Sequence, residues 1–232
     1  TITTTGTGAF GMSAIMGATA TNYGDITTTG AGADGMTAGM GSSVFNVGAD
    51  SIVTSGDSAH GMSAVGASSA DNSGSITTHG TDSYGMLAEG ADSLATNSGT
   101  ILTTGVHSAG MVARSGAVAS NSGSITTQGQ SSSGMEAFNG GSATNTADGT
   151  IVTSGRFAYG MSAVDTGSVV TNEGSIVTSG DQAVGMLAGE GGSAYNSGTI
   201  ATTGDYAHGM AGGLDAFLEN TGTITTAGYR AF

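Results

Sequence analysis

Four histidines are the first residues to consider for chemistry, because a neutral imidazole binds metals and transfers protons near neutral pH. They are His60, His79, His107 and His208. None lies in an HxH or HExxH spacing, so no pair is placed to bind one metal ion. His60 and His208 occupy equivalent positions of a sequence repeat, but six repeat units apart. The spacing therefore predicts exposed polar histidines and no metal site.

Acids and serines are abundant, yet their spacing forms no recognisable catalytic group. Asp25 and Asp50 recur one repeat unit apart, as solvated turn residues would. No serine lies in a nucleophile-elbow context or has a histidine placed to activate it. The absence of cysteine excludes disulfides and thiolate metal sites. We therefore expect no enzyme activity, no cofactor and no metal.

The charge balance excludes two classes of partner. The net charge is −14, lysine is absent, and the only arginines are Arg114, Arg156 and Arg230. Nucleic acids and anionic membranes require basic patches. No stretch approaches the roughly 20 apolar residues of a membrane span. We expect no nucleic-acid partner and no direct membrane insertion by this segment.

A repeat of 24 to 26 residues positions every one of these side chains. Its first marker is isoleucine, followed two residues later by Thr and four residues later by Gly: Ile2, Ile26, Ile52, Ile76, Ile101, Ile125, Ile151, Ile176, Ile200 and Ile224. Its second marker is a Gly-Met pair whose Met always comes ten residues after the Ile: Met12, Met36, Met62, Met86, Met111, Met135, Met161, Met186 and Met210. Its third marker is asparagine: Asn22, Asn46, Asn72, Asn97, Asn121, Asn145, Asn172, Asn196 and Asn220.

Residues alternate with period two at three places in the unit: Ile/Thr, Met/Ala and Ala/Asn. Such alternation indicates strands with one buried face, and glycine allows the bends between them. One unit is thus a coil of three short strands, whose backbone is satisfied only by coils above and below. The sequence predicts an all-β, right-handed parallel β-helix of about ten coils, forming a single domain over residues 1–232.

Stacking places like residues over like residues in the interior. The Thr column is predicted to hydrogen-bond hydroxyl to hydroxyl, and the Asn side chains to hold turn backbone. The predicted structural core contains Ile26, Ile52, Ile76, Ile101, Ile125, Met36, Met62, Met86, Met111, Met135, Asn72, Asn97 and Asn121. Two coils carry two extra residues after Asn46 and after Asn145, where a bend is expected.

Two outward features are candidates for a ligand or partner surface. The first is a column of mostly aromatic residues eight positions after Ile: Phe10, His60, Tyr84, Tyr159, His208 and Phe232. These side chains could stack on sugars or on a partner, or simply cover a Gly-rich bend. The second is the outward Thr face of the Ile/Thr strand, which resembles an ice-binding surface. His79 and Gln128 interrupt this face, and only two coils keep both threonines.

The repeats resemble the passenger domains of bacterial autotransporters (type V secreted proteins). The resemblance covers the whole chain and is carried by runs such as Asn72-Ser-Gly-Ser-Ile-Thr-Thr and Asn121-Ser-Gly-Ser-Ile-Thr-Thr, each followed by Gly-Met-x-Ala. It implies a β-helix at the bacterial cell surface or secreted from the cell. Such passengers serve as adhesins, self-associating proteins, proteases or toxin stalks.

Two main functions remain open from the sequence. One is an adhesin or passenger stalk that binds a glycan or protein of a host or neighbouring cell, or self-associates. The other is a structural fibre or spacer, with ice binding as a lower-ranked alternative. The chain opens and closes on strand edges without atypical capping segments. We therefore expect it to be part of a longer chain or of a head-to-tail homo-oligomer.

Overall fold

The computed structural model describes residues 1–232, which form 28 strands and no helix. All strand pairs are parallel, and they build three sheets of 10, 9 and 9 strands. The predicted parallel β-solenoid with three strands per coil is confirmed. Nine coils are complete and a tenth contributes only its first strand, slightly fewer than the predicted ten. No helix is present that could span a bilayer.

Strands are numbered in chain order, and three successive strands make one coil. The first sheet contains β1 (Ile2–Thr4), β4 (Ile26–Thr28), β7 (Ser51–Thr54), β10 (Ser75–Thr78), β13 (Thr100–Thr103), β16 (Ser124–Thr127), β19 (Thr150–Thr153), β22 (Ser175–Thr178), β25 (Thr199–Thr202) and β28 (Thr223–Thr226). The second sheet contains β2 (Met12–Ile15), β5 (Met36–Gly39), β8 (Met62–Val65), β11 (Met86–Glu89), β14 (Met111–Arg114), β17 (Met135–Phe138), β20 (Met161–Val164), β23 (Met186–Gly189) and β26 (Met210–Gly212). The third sheet contains β3 (Thr19–Asn22), β6 (Ser43–Asn46), β9 (Ser69–Asn72), β12 (Leu94–Asn97), β15 (Val118–Asn121), β18 (Ser142–Asn145), β21 (Val169–Asn172), β24 (Ser193–Asn196) and β27 (Phe217–Asn220).

The core is one continuous column that runs along the solenoid axis. Ile pairs with Ile, Met with Met and Asn with Asn in every coil, as at Met86, Met111 and Met135. All thirteen residues of the predicted core are buried. Because each coil buries only a few side chains of its own, its stability depends on contacts with the coils above and below.

The inward threonines bind backbone rather than one another, contrary to the sequence-based expectation. Thr103 Oγ1 donates to the carbonyl of Ser108 at 2.6 Å, and Thr153 Oγ1 donates to that of Ala158 at 2.8 Å. The same bond to the residue five positions later occurs in every complete coil. The hydroxyl thus closes the bend of its own coil, because this carbonyl would otherwise be buried without a partner.

The asparagines form a ladder through the interior. Each Asn Nδ2 donates to Oδ1 of the asparagine in the next coil, for example Asn97 to Asn121 at 2.7 Å and Asn121 to Asn145 at 2.8 Å. The same amide groups also donate to turn carbonyls, as Asn121 does to Gly123 at 3.1 Å. The predicted role in turns is therefore present, together with a side-chain ladder that the sequence reasoning did not include.

The glycine before each core methionine is required by packing between coils. A Cβ on Gly61 would overlap Cγ2 of Ile76 and the carbonyl oxygen of Gly85. Neighbouring coils therefore approach too closely at this bend for any side chain, which explains the recurrent Gly-Met pair. The two insertions lie in the bends between the third strand of one coil and the first strand of the next, at residues 47–50 and 146–149.

Candidate functional site: the outer face of the second sheet

The column eight residues after Ile flanks the outer face of the second sheet. Its members in order are Phe10, Asp34, His60, Tyr84, Ala109, Ser133, Tyr159, Val184, His208 and Phe232. The structure brings the predicted aromatic residues together as two separate pairs. The His60 and Tyr84 rings are stacked, with centroids 4.8 Å apart, as are those of His208 and Phe232 at 5.3 Å.

Phe10 and Tyr159 stack on no other aromatic ring. The reason is the intervening residues, since Asp34 follows Phe10 in the column and Ser133 and Val184 flank Tyr159. The predicted surface is therefore interrupted rather than continuous, and it concentrates around His60 and Tyr84.

Asp34 lies next to His60 in a compact hydrogen-bonded group. One oxygen of the Asp34 carboxylate accepts from the backbone N–H of His60 at 2.7 Å, and the other accepts from Ser63 Oγ at 2.8 Å. Burial raises the pKa of the Asp34 carboxyl to about 6, against the opposing effect of these two hydrogen bonds. The Asp34 carboxylate therefore links two adjacent coils through these hydrogen bonds.

His60 is half-buried and not the exposed polar residue that the sequence predicts. Burial lowers the pKa of its imidazole to about 4, and the charge of Arg114 acts in the same direction. The backbone N–H of Tyr84 donates to His60 Nδ1 at 3.0 Å, which requires that nitrogen to carry no proton. His60 is therefore a neutral, fixed ring at neutral pH.

A small apolar cluster lies on the outside of the second sheet next to this group. Leu87 and Val112 occupy outward positions, yet they are only 4% and 1% exposed. Tyr84 and Phe138 pack against them together with Ala109. Ser63 and Ser162 are also buried at outward positions of this sheet, but Leu87 and Val112 are the large apolar side chains buried there.

Three ionisable side chains border the apolar cluster. Arg114 and Glu89 form an ion pair with an N···O distance of 2.7 Å, while Arg114 Nε has no hydrogen-bond partner. Burial raises the pKa of the Glu136 carboxyl to about 7, although a hydrogen bond with Ser133 acts in the opposite direction. We call Asp34, His60, Ser63, Tyr84, Leu87, Glu89, Ala109, Val112, Arg114, Ser133, Glu136 and Phe138 the outer cluster.

The two carboxyls of the outer cluster whose pKa is raised are too far apart to act as an acid–base pair. Asp34 and Glu136 are the two carboxyls with a raised pKa, but they lie four coils apart. At about 4.8 Å per coil this separation is about 19 Å. Acid–base pairs that cleave glycosidic bonds lie about 5 to 10 Å apart. The two carboxyls cannot act on the same bond.

The remaining histidines form no site. His79 Nδ1 contacts Thr104 Oγ1 at 2.9 Å, and His107 lies 3.7 Å from the Asp82 carboxylate with both side chains exposed. Nowhere in the chain do three or more His, Asp or Glu side chains gather as metal ligands. On the first sheet, Val53, Leu102, Val152 and Val177 interrupt the outward threonines.

Sequence reasoning identified His60 and Tyr84 but missed the rest of the outer cluster. One usable signal was present, because the position after the core Met holds Ser or Thr in several coils but Leu87, Val112 and Glu136 here. A large or ionisable residue at an outward position indicates that something covers it. Nothing in the sequence indicates that Asp34 contacts His60 and Ser63.

The fold is that of a parallel β-solenoid domain, and the outer cluster lies on the lateral surface of its second sheet. A family model described as the BigA third pectate lyase-like domain matches residues 31–149 and 133–231. The chain belongs to this family, which is a domain of bacterial surface proteins. No curated protein matches the chain, and no solved structure does.

Proposed function

We propose that this domain is a non-catalytic attachment module on the bacterial cell surface, and that it contacts a partner protein or a neighbouring cell through the outer cluster. The observation that carries the proposal is the position of Leu87 and Val112, outward-facing yet covered by Tyr84 and Phe138. Aromatic rings and an arginine around an apolar centre are typical of the residues that dominate protein interfaces.

Membership of a bacterial surface family supports an extracellular location. Export as an autotransporter passenger is part of the proposal and rests on the resemblance of the repeats. A regular repeat would suffice for a spacer, whereas the outer cluster departs from the repeat over several consecutive coils. This departure favours attachment over the purely structural alternative.

The absence of catalysis is also a proposal, although the family's name refers to pectate lyase. Cleavage of pectate by elimination requires a base and cationic groups that neutralise the uronate carboxylates. Lysine is absent, and the only arginine in the outer cluster is already paired with Glu89. Incubation with polygalacturonate should give no ultraviolet absorbance from unsaturated uronides, and product formation above a heat-treated control would contradict this.

The attachment function is tested with beads that carry the purified 232-residue chain and are applied to epithelial cell layers and to one another. We expect binding that falls at least fivefold in Phe138→Ala and Tyr84→Ala. Tyr23→Ala is the matched control, since Tyr23 is 80% exposed and lies outside the outer cluster. Equal binding by all four proteins would favour the spacer function instead.

A further inference from the structure

A cleft on the third sheet is bounded by the longer of its bends. Most bends between the third and first sheets contain two or three residues, such as 73–74, 98–99 and 122–123. The bends at 47–50 and 146–149 contain four residues and stand on either side of those three short bends. The result is a floor of short bends with a higher bend at each end.

Glycine keeps this floor low. A Cβ on Gly99 would overlap the carbonyl oxygen of Gly74, and one on Gly123 would overlap that of Gly99. The three short bends therefore stack in direct backbone contact, and only their serine side chains rise from the floor. These are Ser73, Ser98 and Ser122, which are exposed.

An open cleft of about 280 Å³ runs from Phe45 and Val47 along the floor to Ser122. This volume is near the lower limit of about 300 Å³ for small-molecule sites. Phe45, Asp71 and Thr96 line it from adjacent strands of the third sheet, where they occupy one register position. The cleft therefore combines an aromatic ring, a carboxylate and a hydroxyl on one wall.

The polar groups of the cleft accept hydrogen bonds more readily than they donate them. Thr96 Oγ1 donates to one oxygen of Asp71, and the other carboxylate oxygen has no protein donor. Ser73 and Ser98 each donate to the carbonyl of an asparagine in the preceding coil at 3.3 Å. Ser73 Oγ also accepts from the backbone N–H of Gly48 at 3.3 Å, whereas Ser98 Oγ accepts from no protein donor and keeps its lone pairs free toward the cleft. A matching ligand must offer several hydroxyl donors.

The charge of the cleft excludes acidic ligands. No Arg, Lys or His lines it, and the whole chain carries a net charge of −14. A uronate, sialate or phosphate would meet the Asp71 carboxylate without a compensating cation. We propose that this cleft binds a neutral saccharide, with the C–H face of one sugar ring against Phe45, its hydroxyls donating to Asp71, and the following sugars along the serine floor.

This site is independent of the outer cluster, because it lies on a different sheet and shares no residue with it. Loss of saccharide binding would leave the proposed attachment through Tyr84 and Phe138 untouched. Loss of attachment through Tyr84 and Phe138 would likewise leave saccharide binding unchanged. The two proposals therefore fail separately.

The test is titration of the ¹⁵N-labelled chain with neutral oligosaccharides of two to five residues, built from glucose, galactose, mannose or N-acetylglucosamine. Polygalacturonate fragments of matching length serve as the acidic comparison. We expect at least one neutral oligosaccharide to shift the amide signals of Phe45, Asp71 and Thr96. Asp71→Asn should raise the Kd about tenfold.

Tyr195→Ala is the matched control, since Tyr195 occupies the register position of Phe45 beyond the bend at 146–149. It should leave the Kd unchanged, whereas Phe45→Ala should raise it at least fivefold. The proposal is overturned if no oligosaccharide in the set shifts these amides at millimolar concentration, or if the shifts map to the outer cluster. Binding of the acidic fragments as tightly as the neutral ones would also overturn it. The wild-type titration decides the question even if Phe45→Ala fails to fold.

Discussion

Leu218 fills the space that Gly212 leaves empty in the ninth coil. A Cβ on Gly212 would lie 3.2 Å from Leu218 Cδ1. In the preceding coil both register positions hold alanine, Ala188 and Ala194. The ninth coil has thus exchanged volume between two facing strands, with Leu218 37% exposed at the end of the stack.

This exchange predicts that substitutions of Gly212 and Leu218 have non-additive effects on the free energy of unfolding. Gly212→Ala crowds Leu218, and Leu218→Ala leaves a gap, so each should lower the free energy of unfolding by about 0.5–1 kcal/mol. The double substitution recreates the alanine pair and should cost less than the sum by at least about 0.5 kcal/mol. Denaturant unfolding of the four proteins measures the coupling, and strict additivity would contradict the volume exchange.

The methionine column should not tolerate a charge. Met111 is fully buried between Met86 and Met135. Met111→Asp should therefore lower the free energy of unfolding by about 3 to 5 kcal/mol, because the carboxyl is buried without a partner. Met40→Asp is the control, since Met40 is 69% exposed. A similar loss of stability in both variants, measured by thermal unfolding, would argue against the inward position.

The asparagines at the centre of the ladder should contribute more to the free energy of unfolding than those at its ends. Asn121→Ala removes the side-chain acceptor of Asn97 Nδ2 and the side-chain donor to Asn145 Oδ1. We expect a loss of about 2 to 3 kcal/mol of unfolding free energy. Asn220→Ala, at the exposed end of the ladder, removes a single inter-coil bond and should cost less than half as much. Chemical denaturation distinguishes the two, and equal losses would mean that the ladder does not act as a unit.

Glu136 should make stability decrease between weakly acidic and neutral pH. Its folded pKa of about 7 lies above the usual 4.5. Stability is therefore full below about pH 4.5 and is lost as the pH rises through 7, because the folded state holds the proton more tightly. Glu136→Gln should raise the free energy of unfolding at pH 8 by about 1 to 2 kcal/mol and leave it nearly unchanged at pH 4.

The pH comparison needs its own control, since Asp34 and His60 also titrate with shifted pKa values. The contribution of Asp34 to the free energy of unfolding changes with pH in the same direction as that of Glu136. The contribution of His60 changes in the opposite direction, because it is lost as the pH falls below 6.5. Glu173 is exposed, so Glu173→Gln should give no pH-dependent gain in the free energy of unfolding. An equal gain in Glu136→Gln and Glu173→Gln would indicate general charge repulsion rather than burial of Glu136.

Folding should require no metal. We expect that a chelator leaves the thermal melting curve unchanged, because no cluster of potential metal ligands recurs with the repeat. The measurement is the melting temperature with and without excess chelator. A clear decrease would direct attention to the turn aspartates Asp57, Asp181 and Asp205. The carboxylate of each accepts a backbone N–H group of the next coil.

The coil and its register were predictable because the same constraint repeats along the chain. Ile, Met and Asn recur at matched positions, and only stacking of like on like buries all of them. The position of the insertions was also predictable, since extra residues interrupt stacked strands but not bends. The acceptor of each inward Thr hydroxyl was not predictable, because a neighbouring hydroxyl and a bend carbonyl are both within hydrogen-bond reach.

The repeat alone therefore specifies the solenoid: three strands per coil, an Ile, Met and Asn interior, and glycine at the bends. The contacts between non-repeating side chains follow only from the folded chain. The Asp34 carboxylate accepts from Ser63 Oγ across 29 positions of sequence, and Arg114 forms an ion pair with Glu89 of the preceding coil. The physical reason is that the repeat constrains only the residues that stack identically. An outward side chain is placed by whichever residues the coils above and below happen to carry, so its burial, its pKa and its partners depend on those neighbours.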